Sequence, residues 1–161
     1  MDNTRELNEG IRVILEKDIR WDRCDIKTIS LLPSVLANTK AFIKNSYEAI
    51  FYRDNFLTEG SHTNFFAVKN EKLFTAPLCN FILAGVTRSI TLDLCKENKI
   101  SFKKDFINVN DLKNYNEFFI TGTTTEITPV IKIDNWIVGK GKPGKVTKFL
   151  QSKFFDLTKS F

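Results

Sequence analysis

Apolar and polar positions alternate in short blocks along the chain, and the period of the alternation changes several times. Residues 10–19 carry the β-branched Ile11, Val13 and Ile14 and read as a strand. Ser30 is placed to cap a helix reaching about Asn45, with Pro33 tolerated in the first turn and Leu36 and Ile43 on the apolar side. A strand over residues 47–53 follows, and Asp54-Asn55 turns the chain into Phe56-Leu57-Thr58. Residues 64–69 and 72–75 read as a hairpin around Asn70-Glu71.

The second half repeats this mixture. Ile90, Leu94 and Cys95 fall at helical spacing and predict a helix over residues 86–98, opening just after Gly85. Residues 101–106 read as a strand, Asp111-Leu112 as the start of a short helical turn, and residues 117–121 as a buried strand. Residues 128–133 and 136–138 pair across Asp134-Asn135. A last amphipathic helix runs from about Val146, with Phe149, Phe154 and Phe155 on its apolar face. Strands outnumber helices and the two are interleaved, which predicts a mixed α/β (α+β) domain with a large sheet.

Composition narrows the class. At 161 residues the chain has room for one domain, and 42% hydrophobic residues supply its core. No run of about 18 apolar residues occurs, so no membrane partner is expected. The polar opening Met1-Asp2-Asn3-Thr4-Arg5-Glu6 does not read as a secretory signal. Cys24, Cys79 and Cys95 are odd in number and far apart, the usage of a reducing, cytoplasmic protein. Lys+Arg 24 against Asp+Glu 19 gives a net charge of +5, concentrated in Lys140, Lys142, Lys145, Lys148, Lys153 and Lys159. With the neighbouring phenylalanines assigned to an apolar face, the stripe reads as a solvated helix face, and no nucleic-acid partner is expected. His62 is the single imidazole, so neither a zinc site nor a serine–histidine hydrolase is expected; Ser61 beside it points to the opposite face of an extended segment.

Candidate chemistry gathers at a few loops. Gly60, Gly85 and Gly122 lie at element ends and give the backbone freedom that a ligand-approaching loop requires. Gly85-Val86-Thr87-Arg88 opens a helix, where unpaired N–H groups and the macrodipole favour an anion such as phosphate. Thr121-Gly122-Thr123-Thr124-Thr125 offers a second nest of N–H and O–H donors. Neither Gly-x-x-x-x-Gly-Lys-[Ser/Thr] nor Gly-x-Gly-x-x-Gly occurs, so nucleotides held by those loops are not expected. Lys27 follows an apolar-rich segment just ahead of a helix. Partly desolvated there it would become nucleophilic; fully solvated it would be an ordinary surface lysine. Glu59, in Thr58-Glu59-Gly60-Ser61, carries the same two readings.

These segments combine into a recognisable pattern. Glu59-Gly60-Ser61-His62-Thr63-Asn64-Phe65-Phe66, then Leu73-Phe74-Thr75, then Leu83-Ala84-Gly85-Val86-Thr87-Arg88 resemble the signature of class IV pyridoxal-phosphate aminotransferases. Asp18-Ile19-Arg20-Trp21-Asp22-Arg23-Cys24-Asp25-Ile26-Lys27 is similar to the cofactor-lysine segment of the D-amino acid (D-alanine) branch. Residues 121–130 are similar to the family's second phosphate loop. The resemblance implies a barrel-like mixed sheet with helices packed outside, the cofactor pyridoxal 5'-phosphate, and transamination between a D-amino acid and a 2-oxo acid. It implies that Lys27 forms the Schiff base and moves the substrate's Cα proton, and that Glu59 holds the pyridine nitrogen protonated. Leu83 would pack on the ring, and Val86, Thr87, Gly122 and Thr123 would contact the phosphate.

The family's smaller N-terminal domain has no counterpart in these residues. Residues 1–9 therefore read as a remnant of the interdomain linker and residues 10–161 as the cofactor-binding large domain. The expected partners are an amino acid, a 2-oxo acid, and a homodimer mate or separate chain supplying the small domain. An uncovered apolar surface predicts self-association. The alternatives are a branched-chain aminotransferase-like half-enzyme, a relative of the aminodeoxychorismate lyases, a truncated non-catalytic remnant, and a basic binding module.

Overall fold

The computed structural model describes residues 4–159. In chain order the elements are α1 (Thr4–Glu9), β1 (Ile11–Lys17), α2 (Leu32–Ile43), β2 (Glu48–Arg53), β3 (Phe56–Gly60), β4 (Asn64–Lys69), β5 (Lys72–Thr75), α3 (Val86–Glu97), β6 (Phe102–Lys104), a 3-10 turn (Val109–Asn114), β7 (Glu117–Gly122), β8 (Glu126–Ile133), β9 (Trp136–Ile137) and α4 (Lys145–Lys159). Residues 4–9 of the expected linker remnant are thus a short helix. Gln151 Nε2 on α4 binds it to the sheet, donating to both Leu7 O and Ile127 O at 2.9 Å.

All strands join one mixed sheet in the order β3-β2-β1-β8-β7-β4-β5-β6, with β9 on β8. β1 is central and parallel to both neighbours, β2 and β8. The connection from β3 to β4 forces this sheet to curl. Five strand spacings separate the two in the sheet order; laid flat they would stand about 24 Å apart at ~4.8 Å per strand. Only residues 61–63 join them, a span of at most ~14 Å from Gly60 to Asn64. The half-barrel of the resemblance follows from that short turn.

The curl divides the core in three. Inside lie Val13, Ile50, Leu57, Phe65, Phe118, Ile120 and Val130 with their neighbours. On the outer face Phe66, Phe119 and Ile127 pack against Leu92, Leu94 and Cys95 of α3 and Leu150 and Phe154 of α4. Phe66 and Phe119 stack at 4.8 Å, worth about 1 kcal/mol beyond their burial. A third layer joins α2 to Ile14, Ala49 and Phe51.

Turn chemistry explains the hairpins. Asp54 and Asn55, and again Asn70 and Glu71, all have positive φ, the type I′ geometry that matches strand twist. The predicted strands are present with shifted ends: the first stops at Lys17, the one expected over residues 101–106 keeps only Phe102–Lys104, and the one expected from residue 128 starts at Glu126.

Two helices differ from expectation. Ser30 does not cap α2; Leu31 occupies that place without a side-chain cap. Leu36 and Ile43, expected on the apolar side, are 49% and 73% exposed, and Ala37 and Ala41 form the buried face. Small side chains let the helix axis approach the sheet closely, which turns the bulkier residues outward. In α4 the buried residues are Thr147, Leu150 and Phe154, at helical spacing. Phe149 and Phe155 lie off that stripe and are exposed, and the ammonium groups of Lys153 and Lys159 sit 5.6 and 4.3 Å from their ring centroids.

Candidate functional site

Glu59 ends up as a hub because the turn at residues 61–63 brings β3 against β4. Its Oε1 accepts from Arg20 Nη1 at 2.6 Å, and its Oε2 accepts from Asn64 Nδ2 at 3.1 Å and the Leu83 amide at 2.9 Å. Asn64 Nδ2 also donates to Leu83 O at 2.9 Å, so Leu83 is fixed through both backbone polar atoms. Arg20 continues the network. Its Nε and Nη2 each donate to Asp18 at 2.9 Å, Nη2 reaches Phe81 O at 3.1 Å, and the guanidinium lies 4.5 Å over the Phe51 ring. Arg53 Nε adds an ion-pair contact to Asp18 Oδ2 at 3.3 Å, without hydrogen-bond alignment.

Burial sets the electrostatics. Glu59 is 4% exposed, and desolvation pushes its carboxyl up to about 7 against the pull of Arg20 and the Leu83 amide. Burial also opposes the ionised forms of Asp18 and Arg20, but their mutual pairing prevails: Asp18 is held below the usual carboxylate range and Arg20 is raised. The outcome is one carboxylate locked ionised and one poised near neutrality, bridged by a single guanidinium.

Two donor-rich ends flank the hub. Helix α3 begins at Gly85, which carries no side-chain cap, leaving the first-turn N–H groups of exposed Val86 and buried Thr87 for an anion. Gly85 is packed onto Asn64: a Cβ there would lie 2.1 Å from Asn64 Oδ1, and Asn64 is held by Glu59 and Leu83. The threonine-rich segment is shorter than expected. Thr121 and half-buried Gly122 belong to β7 and Glu126 to β8, so residues 123–125 form the turn, with Thr123 exposed and Thr125 buried. Thr121 stands opposite Asn64 in the ladder, on the same face, and its buried Oγ1 has no hydrogen-bond partner. That hydroxyl is an orphan polar atom beside the hub.

The structure therefore brings Glu59, Leu83 and the Val86–Thr87 end of α3 into one cluster and sets Gly122 and Thr123 at its flank. Lys27 stands apart. It is exposed in the loop of residues 18–31 and makes no hydrogen bond or ion pair among the described residues. Of its two readings, the solvated one is seen among the described residues, because neighbouring Ile26 and Ile29 are exposed as well. The loop is nevertheless docked beside the hub, through the Asp25 amide donating to Asn80 O at 3.2 Å and through Arg20 on Phe81. His62 is a half-exposed turn residue, with Nδ1 3.3 Å from Glu48 Oε2. Sequence reasoning missed Asp18, Arg20 and Asn64 as site residues, although each lies inside a quoted motif. Among the described residues no group of three or more His, Cys, Asp and Glu is placed to hold a metal ion, and no helix is long and apolar enough to cross a membrane.

Known proteins similar to this chain identify its family. The family model for amino-transferase class IV matches residues 3–133. The D-alanine aminotransferase of Staphylococcus haemolyticus is 42% identical over 149 residues, covering 92% of this chain and 53% of that protein. The branched-chain amino acid aminotransferase of Escherichia coli superposes with a TM-score of 0.85 at 32% identity, over 96% of this chain and 53% of that one. A T.th. branched-chain amino acid aminotransferase, solved with N-(5'-phosphopyridoxyl)-L-glutamate, gives a TM-score of 0.82 at 25% identity over 93% of this chain and 52% of that one. The chain thus spans about half the length of these relatives. The family-model match over most of the chain and the likeness of its fold lead to one conclusion: the chain belongs to the class IV aminotransferases.

Proposed function

We propose that this chain is the cofactor-binding part of a pyridoxal-phosphate-dependent aminotransferase. The observation that carries the reading is Glu59, a buried carboxyl near pKa 7 fixed by Arg20, Asn64 and the Leu83 amide, beside an uncapped helix N-terminus. The residues present fit the cofactor: an acid for its ring nitrogen, free N–H groups for its phosphate, and the orphan Thr121 hydroxyl opposite Asn64. Support also comes from the branched-chain relative that holds a phosphopyridoxyl compound.

Bound there, the cofactor supplies an electron sink for the pair left when an amino acid loses its Cα proton. Glu59 would hold a proton at the pyridine nitrogen, and Arg20, clamped by Asp18, keeps that carboxylate in place. Leu83 would pack on the ring, and Val86, Thr87, Gly122 and Thr123 would hold the phosphate. Lys27 would hold the cofactor through Nζ, with loss of water, and only after the substrate amine displaces it would its freed amine take the proton from substrate Cα.

The substrates of this reading are a D-amino acid and a 2-oxo acid, favoured by the 42% identity to a D-alanine aminotransferase. Residues 10–161 form the large domain. A small domain, carried outside these residues or by a partner chain, covers Lys27 and completes the substrate pocket in a homodimer. The compartment of the reading is the cytoplasm, in keeping with three free cysteines.

The test is a titration with pyridoxal 5'-phosphate followed by visible-range absorbance, then borohydride reduction and peptide mapping. A visible band with the reduced adduct on Lys27 is expected. No band, or label scattered over surface lysines, would overturn the assignment.

A further inference from the structure

Glu48, which opens β2, is 0% exposed, and none of the steps above uses it. Its carboxylate lies beneath the β3–β4 turn. Oε1 accepts a short hydrogen bond from Thr63 Oγ1. Oε2 lies 3.2 Å from the Ser61 hydroxyl, accepts from the His62 amide at 3.3 Å, and stands 3.3 Å from His62 Nδ1. The turn is closed on itself by the Gly60 amide donating to Thr63 O at 2.7 Å. Position 60 admits no side chain, since a Cβ would meet Thr63 Oγ1 at 2.3 Å and Glu48 Oε2 at 2.6 Å. Burial pushes the Glu48 carboxyl up, while His62, Thr63 and Ser61 draw it back toward the ionised form.

The same point of the chain also reaches the threonine-rich turn. Thr63, oriented by Glu48 through its hydroxyl, presents its methyl 3.4 Å from where a Gly122 Cβ would stand. Tyr47, the residue before Glu48, interacts through its hydroxyl with Thr125 and lays its ring 6.0 Å from that of His62. Thr125 in turn holds β8, its carbonyl accepting from Thr128 Oγ1 at 2.6 Å. Tyr47 and Glu48 thus link two segments, residues 60–63 next to Glu59 and residues 122–125 next to the orphan Thr121.

We infer that Glu48 is a positioning residue for the phosphate end of the site, holding the turn at residues 60–63 and, through Thr63 and Tyr47, the turn at residues 122–125 in register with it. The inference rests on the cofactor assignment above for what the second turn binds, but the coupling between the turns is a property of the chain alone. Amide hydrogen exchange on the unliganded chain reads that coupling. Glu48→Gln is expected to speed exchange at least tenfold at residues 61–63 and at residues 122–125, leaving the hairpin tip at residues 69–72 unchanged. Tyr47→Phe is expected to loosen residues 122–125 alone.

If Glu48→Gln leaves residues 122–125 at the wild-type rate, or accelerates the hairpin tip equally, the inference is overturned. Should that variant fail to fold, the near-isosteric Thr63→Val is read on the same segments with the same expectations. A second measurement compares pyridoxal 5'-phosphate with pyridoxal, which lacks the phosphate. A tenfold or greater weakening confined to the phosphorylated compound is expected in Glu48→Gln, and equal weakening of both would overturn the assignment to the phosphate end. Wild-type protein that takes up neither compound would refute the proposed function, while the exchange data would still decide the coupling.

Discussion

Around Glu59 the chain packs two carboxylates, a guanidinium, a carboxamide and a backbone amide into one buried network. Around Lys27 it leaves Ile26, Leu31 and Leu32 in the open and Ile29 98% exposed. Both regions draw residues from the same docked loop, yet only one has its geometry fixed by this chain's own contacts. The acid that would face the ring nitrogen is preorganised. The amine that would take the covalent bond has neither a partner nor a dry environment here. The contrast shows that a site can be half built within a sequence and half dependent on what covers it, and it assigns different kinds of consequence to mutations on each side.

The largest effect is expected at Lys27, on chemistry alone. Lys27→Ala should abolish the borohydride-fixed cofactor adduct in peptide mapping while leaving the melting temperature within a degree or two, since the side chain is exposed and unpaired. Retention of the adduct would break the comparison outright. The largest stability effect belongs to the other side. Arg20→Met removes the one ion-pair partner of buried Glu59 among the described residues and leaves Asp18 with Arg53 alone, and should cost about 3–5 kcal/mol in urea unfolding. A cost below about 1 kcal/mol would show that the network is not what holds Glu59.

Smaller effects sharpen the picture. Gly85→Ala drives a methyl into Asn64, itself held at both ends, and should cost about 1–3 kcal/mol. Glu59 sets a pH signature. Its folded pKa of about 7 exceeds the ordinary 4.5, so between these values the folded chain keeps a proton that the unfolded chain has released. Stability should therefore fall as pH rises from 4.5 to about 7, and Glu59→Gln should flatten that slope in thermal melts. The smallest effect is expected at Ile29→Ser, within about 0.5 kcal/mol for the chain alone, because no apolar contact is lost.

Local chemistry was legible in the sequence wherever a few adjacent residues decide it. The hairpin at Asn70-Glu71 and the helix opening after Gly85 fall where side-chain and backbone preferences place them. Features set by distant packing were not. The apolar residues of α2 lie on more than one side, and only the close approach of Ala37 and Ala41 to Phe51 and Ala49 selects the buried face. Phe149 and Phe155 carried a hydrophobic signal that the period of Thr147, Leu150 and Phe154 overrides. The same limit hid Arg20. Glu59 was legible as a candidate acid, but its salt bridge spans 39 residues of sequence and exists only because β3 and β1 both flank β2 in the sheet.

The central place of β1 carries a consequence for synthesis on the ribosome. Ile11 pairs with Val130, and the Leu15 amide donates to Asp134 Oδ1 across 119 residues. At about 5–20 residues per second, one edge of the first strand waits roughly 6–24 s for its neighbour to be translated. Until then β1 offers an unpaired apolar edge of Ile11, Val13 and Ile14, the kind of edge that invites pairing with other nascent chains. β1 should therefore add to the chaperone demand of this segment, and slowing translation between residues 17 and 130 should lengthen that exposure and lower the soluble yield.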